Sequence, residues 1–167
     1  MPPSSSLATS WPSDMKALAG LICLLAGAPA AAQEIRLAPS EFDFSKAGVA
    51  GAGTSRLPAI RTVVLKGDPA KPGLYTIMLN VPANTRIAAH RHPDERVATV
   101  VSGTWYFGYG RSFDATGLKA LPPGSYYTEP ADLDHFAETR GDAVTIQITG
   151  YGPTGTTYVN AADTPNR

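Results

Sequence analysis

The chain has 167 residues, with 14 basic and 14 acidic side chains and a formal net charge of zero. That balance argues against a nucleic-acid partner, which needs excess basic charge to neutralise phosphates, and no acidic block or basic amphipathic stretch points to a membrane surface. A hydrophobic fraction of 43% suits one domain with a packed core, and 16 Gly and 15 Pro, spread along the chain, favour short strands joined by turns over long helices.

The first segment reads as an export signal. Lys16 precedes the apolar run Ala17 to Ala28, and the small residues Ala30 and Ala32 follow before Gln33 and Glu34. Charge, short apolar run and an Ala-x-Ala step describe a secretory signal peptide cut after about Ala32. The run is shorter than the roughly 20 apolar residues of a membrane span. Met15 is a plausible true start, since residues 1–14 add a Ser/Pro-rich extension. The single cysteine, Cys23, falls inside the run, so the mature chain is expected to carry no thiol, to have no membrane span, and to reside in the periplasm or outside the cell.

Residues 33–58 are rich in Ala, Gly and Ser and read as an irregular lead-in. Strands are expected at Ile60–Lys66, Leu74–Val81, Ile87–His92, Arg96–Val101, Thr104–Tyr109, Leu118–Leu121, Tyr126–Glu129 and Ala143–Gly150, with Gly-, Pro- and Asp-bearing turns between them. No stretch after residue 33 keeps a 3.6-residue apolar period over three turns. Many short strands at regular spacing imply a sandwich or closed barrel over residues 59–159, followed by a frayed tail at 160–167.

The chain contains three histidines. His90 and His92 stand two apart in an expected strand, so both side chains face one side. His135 heads a later strand that a barrel would bring back beside them. Neutral imidazoles converging at about 2.0–2.1 Å bind a transition metal. Taken singly, each of these histidines is more often an ordinary polar side chain than a ligand.

At this point the sequence resembles the cupin superfamily. Its first motif is Gly, five residues, His-x-His, three or four residues, Glu, six residues, Gly; NTRIAAHRHPDERVATVVSG places Asn84, His90, His92 and Gly103 on it. Its second is Gly, five residues, Pro-x-Gly, two residues, His, three residues, Asn; GSYYTEPADLDHFAET places Gly124, Pro130, Asp132, His135 and Thr139 on it. Every gap length is kept over residues 84–139. The resemblance implies an all-β double-stranded β-helix, or jelly-roll barrel, holding one divalent transition metal (Fe, Mn, Ni, Cu or Zn) through His90, His92 and His135. It also implies pairing of chains through edge strands into a homodimer.

The departures from the motifs carry physical content. Asn84 and Asp132 replace Gly at turns, and Asn and Asp tolerate a left-handed backbone best among residues with a side chain. Arg96 occupies the place of the acidic ligand, with Glu95 one residue early. A one-residue shift turns a strand side chain to the other face, so Glu95 becomes a fourth ligand only if Pro93-Asp94 forms a bulge; a three-His site with open positions is preferred. Arg96 either faces the cavity, to hold an anionic substrate, or pairs with a nearby acid. Gln147, between Ile146 and Ile148, is a second substrate-orienting candidate if its face is the cavity and a solvated residue if it is not. Trp105, Phe107, Tyr127 and Phe136 are candidate walls or plain core, and Glu129, beside Pro130, is a further pocket acid.

The resulting expectation is an exported metal-dependent oxidoreductase of dioxygenase type acting on a small organic molecule. The alternatives are a non-catalytic metal- or ligand-binding cupin and a metal-dependent isomerase or lyase on the same barrel. A barrel that no longer binds metal is the least favoured, because all three His are retained.

Overall fold

A computed structural model of the chain describes residues 34–45, 48–49 and 51–165; the expected signal segment and its cleavage point lie outside them. Arg36–Arg167 forms one compact unit. Its strands are β1 (Gly48–Val49), β2 (Arg61–Lys66), β3 (Gly73–Val81), β4 (Arg86–Arg91), β5 (Arg96–Ser102), β6 (Trp105–Tyr109), β7 (Lys119–Leu121), β8 (Tyr126–Glu129), β9 (His135–Glu138), β10 (Val144–Gly152) and β11 (Thr157–Tyr158).

They form two antiparallel sheets, β1-β2-β3-β10-β5-β8 and β11-β4-β9-β6-β7, the two-sheet arrangement of the cupin jelly roll. Alternation along each strand sends one set of side chains inward. In β10, Val144, Ile146 and Ile148 are buried while Gln147 is exposed; in β3, Tyr75, Ile77, Leu79 and Val81 are buried. Together with Val100, Trp105, Phe107 and Tyr127 they make one continuous core. Each large apolar side chain taken from water in this way contributes roughly 1.5–3 kcal/mol.

Turns follow the sequence closely. Asn84 and Asp132 adopt φ of 56° and 57°, the left-handed conformation that their side chains tolerate. Gly103 has φ of 73°, and a Cβ there would stand 2.4 Å from the Ala143 carbonyl oxygen, so the position admits only glycine. Thr139, at the motif's Asn place, is buried; its hydroxyl donates to the Pro82 carbonyl at 2.5 Å and accepts from the Thr85 amide at 2.8 Å, closing the turn around Asn84.

Three features differ from the sequence reading. β4 ends at Arg91, which leaves His92 just beyond the strand, and β11 pairs with it through Tyr158↔His90. The tail opens with a 3-10 turn, Ala161–Asp163, capped by the Asn160 side chain. The lead-in is irregular, but its last part is fixed as a strap against the barrel: Thr54 and Ser55 are 1% and 5% exposed. The carbonyls of Gly53, Thr54 and Ser55 accept hydrogen bonds from Arg96, Thr156 and Tyr158, in that order. These donors come from residues far along the chain, so local sequence held no sign of the strap.

Candidate metal centre

The two sheets bring the three histidines to one point inside the barrel. His90 sits on β4 directly opposite His135 on β9, and the turn after β4 carries His92 back toward them. All three are buried, at 5%, 1% and 2% exposure for His90, His92 and His135. Their outward-facing ring nitrogens are tied to backbone carbonyls: His90 Nδ1 to Ala88 at 2.8 Å, His92 Nδ1 to Gly155 at 2.5 Å, and His135 Nδ1 to Leu133 at 3.1 Å. A carbonyl only accepts, so each Nδ1 carries the hydrogen and each Nε2 presents a lone pair.

These ligand atoms lie within 4.8 Å of one another. His92 Nε2 and His135 Nε2 are buried without a hydrogen-bond partner. Buried acceptors are rarely left unpaired, and convergent neutral imidazole lone pairs are what a divalent transition metal binds. The residues present therefore fit a metal. Burial lowers all three imidazoles: His90 is pushed down to about 3 by burial and by neighbouring His135, His92 falls through burial and Arg96, and His135 falls through burial against an opposing pull from Glu129. They stay neutral, and ligand-competent, at physiological pH.

The acidic part of the site differs from the sequence expectation. Glu95 is exposed, and Asp94 turns inward in its stead, accepting from the Tyr75 hydroxyl at 2.7 Å. No bulge swings Glu95 toward the metal position, so Glu95 is not a ligand. Arg96 is 2% exposed and faces the cavity, but its guanidinium is committed. Its Nε and Nη2 both donate to Glu129 Oε2, the former at 2.7 Å, and its Nη1 donates to the Gly53 carbonyl at 2.6 Å. Arg96 thus combines the two expectations: it points inward and pairs with an acid, the interior Glu129.

Glu129 sits on β8 directly across from Arg96 on β5. Its Oε2 lies 3.8 Å from His92 Nε2 and 3.9 Å from His135 Nε2. Burial alone would raise this carboxyl, but Arg96 above all, then His135 and His92, hold it below the usual carboxylate range. Gln147 is exposed on the outer face of β10, which removes it as a substrate-orienting residue. Its neighbours Ile146 and Ile148 take the cavity side.

Trp105, Phe107 and Tyr127 line the cavity, with Phe107 4.4 Å from Tyr127 and 5.4 Å from His135 between ring centroids. Phe136 does not. It alternates with His135 and turns to the other side of β9, packed on Phe113 at 5.3 Å and against Gly108, where a Cβ would come within 2.7 Å of its ring. The strap lines the cavity through Gly53 and Ser55, beside a space of about 30 Å³. A water needs about 10–15 Å³, so this space takes an ion and a water. Organic-ligand pockets run to roughly 300–1,000 Å³.

No protein-family model matches the chain, and no curated protein matches it. Solved structures do. Salicylate 1,2-dioxygenase from Pseudoaminobacter salicylatoxidans, in adducts with gentisate, superposes with a TM-score of 0.50 at 13% identity, covering 60% of this chain and 29% of that one. A cupin 2 conserved barrel domain protein from Leptotrichia buccalis gives 0.47 at 16% identity, covering 56% of this chain and 41% of that one. A cupin-superfamily sugar phosphate isomerase from Silicibacter pomeroyi gives 0.47 at 14% identity, covering 60% and 65%. The chain spans less than two thirds of each, and identities this low speak to the fold alone, an all-β jelly-roll barrel.

Proposed function

We propose that this chain is an exported, mononuclear metalloprotein whose centre is held by His90, His92 and His135 and serves metal-dependent oxidoreductase chemistry of the dioxygenase type. The observation that carries the reading is the convergence of three Nε2 lone pairs, each fixed by an Nδ1–H bond to a backbone carbonyl. A bound transition metal would supply Lewis acidity and, for iron or copper, electron transfer to oxygen. The chain's own contribution is to hold the imidazoles neutral, to keep a carboxylate beside them, and to exclude bulk water with Trp105, Phe107 and Tyr127.

One observation favours a second reading. The space of about 30 Å³ beside the histidines, which Gly53 and Ser55 of the strap help to line, is small against organic-ligand pockets of roughly 300–1,000 Å³. A strap that stays shut fits a metal-binding module that exchanges only water-sized ligands. A strap that opens fits the enzyme.

The deciding experiment is metal content by mass spectrometry on residues 33–167, with His90→Ala and His135→Ala beside it. About one metal per chain, lost in both variants, supports the centre; none after reconstitution with iron, manganese, copper, nickel or zinc sinks it. Oxygen uptake by the loaded protein with candidate small acids then separates enzyme from binding module. Export is tested by the N-terminal residue of protein recovered from outside the cytoplasm, expected near Gln33. The homodimer implied by the cupin resemblance is tested by the protein's mass in solution.

A further inference from the structure

We propose that Glu129 is the fourth protein ligand of this centre, delivered from β8, and that Arg96 is its positioning residue. The inference rests on the three-His reading above and goes beyond it. At the inward position of β5 where the motif expects an acid, this chain has an arginine, and the acid stands directly across the strand pair, Arg96↔Glu129. The charge has moved one strand sideways.

Geometry makes the relocated carboxylate usable. Oε2 lies 3.8 and 3.9 Å from two of the imidazole nitrogens. Ligand atoms around one metal at bonds of about 2.0–2.2 Å stand roughly 3.0–3.5 Å apart. An inward movement of about half an ångström therefore completes the set, and the broad rotation about the last side-chain bond of glutamate provides it.

Chemistry asks for that movement. His92 Nε2, His135 Nε2 and the Glu129 oxygen are lone-pair atoms facing one small void, and every imidazole hydrogen is spent on a backbone carbonyl. The two imidazole nitrogens have no donor, and the Glu129 oxygen beside them takes both of its donors from Arg96; lone pairs facing one another repel, and a cation between them reverses the sign. Arg96 explains how the carboxylate is buried at all, since an unpaired buried charge is prohibitively costly. It also fixes orientation: Nε and Nη2 grip one side of the carboxylate while Nη1 is anchored to the Gly53 carbonyl.

The test uses zinc and cobalt alone as probes. In wild-type protein, adding one equivalent of Zn(II) should shift the antisymmetric and symmetric carboxylate stretches in the infrared difference spectrum. Glu129→Gln should abolish that shift and weaken Co(II) binding at least tenfold. Because Glu129→Gln leaves Arg96 unpaired, the double variant R96Q/E129Q serves as a foldable control and should show the same losses. Arg96→Lys, which keeps a charge with different geometry, should alter the carboxylate stretch splitting more than the affinity. Zn(II) bound by wild type with no carboxylate shift, or Co(II) affinity in R96Q/E129Q within twofold of wild type, overturns the proposal and leaves the three-His centre standing. Failure of wild type to bind either ion overturns the three-His reading itself, and the proposal with it.

Discussion

Removing the Arg96 charge is the sharpest stability test this barrel offers. Arg96 and Glu129 are 2% and 4% exposed, paired across adjacent strands, and the arginine's third nitrogen holds the strap at Gly53. Arg96→Met keeps much of the side-chain volume and strands the Glu129 carboxylate in the cavity. Breaking one half of a buried pair costs about 3–5 kcal/mol, and the lost bond to Gly53 adds about 1 kcal/mol. A domain of this size loses about 3–5 °C of Tm per kcal/mol, so a fall of roughly 12–30 °C is expected. Glu129→Gln alone should fall comparably. The double variant R96M/E129Q should be no less stable than either single variant, since neither charge is then left alone, giving a coupling of at least about 3 kcal/mol in the cycle. The assay is thermal and urea unfolding of metal-free protein in chelator at pH 7. Losses under about 1 kcal/mol for either single variant, or strictly additive losses, would refute the view that these two charges depend on each other.

Acid should destabilise the metal-free barrel earlier than carboxylate titration alone predicts. All three His are lowered in the fold, His90 to about 3, so below about pH 6.5 the unfolded chain binds protons that the folded one refuses, and stability falls as pH falls. Glu129, also lowered in the fold, is stabilising above its unfolded value near 4.5 and loses that contribution as pH drops further. Urea midpoints should decline from about pH 6.5 downward, and a flat profile between pH 7 and 5 would contradict the burial argument. Glu95→Gln and Gln147→Ala should leave metal affinity within twofold by competition with a chelator, because both side chains are exposed on the far faces of their segments. Tyr158→Phe deletes the hydroxyl that donates to the Ser55 carbonyl, a loss of about 1–2 kcal/mol. Hydrogen exchange at amides 53–56 should quicken about tenfold, and no change would mean that the other two bonds alone hold the strap.

Much of this molecule was legible from its sequence because the relevant signals are local. Alternation in LYTIMLNV gives a strand whose inward residues Tyr75, Ile77, Leu79 and Val81 lie in the observed core. The gaps around His90, His92 and His135, matched through the cupin resemblance, pointed to the three histidines that the fold brings together. Asn84 and Asp132 stood out as turn residues able to accept positive φ, and they do. What the chain order did not carry is anything decided by pairing between strands distant in sequence. Which face of β10 looks inward follows from its seat between β3 and β5, so Gln147 was ambiguous until that seat was known. Phe136 was equally ambiguous, because the loop bearing Phe113 covers the outer side of β9 and buries both faces. Glu129 drew notice only as a neighbour of Pro130; its place in the site exists because β8 pairs with β5 in a register that sets it opposite Arg96. The strap is the extreme case. Apart from Leu57, which packs against the core, residues 51–57 are too small or polar to announce burial, and the strap is held by side-chain donors from residues 96, 156 and 158 to its backbone carbonyls. Such bonds leave no trace in the sequence that accepts them, since every residue has the same carbonyl to offer.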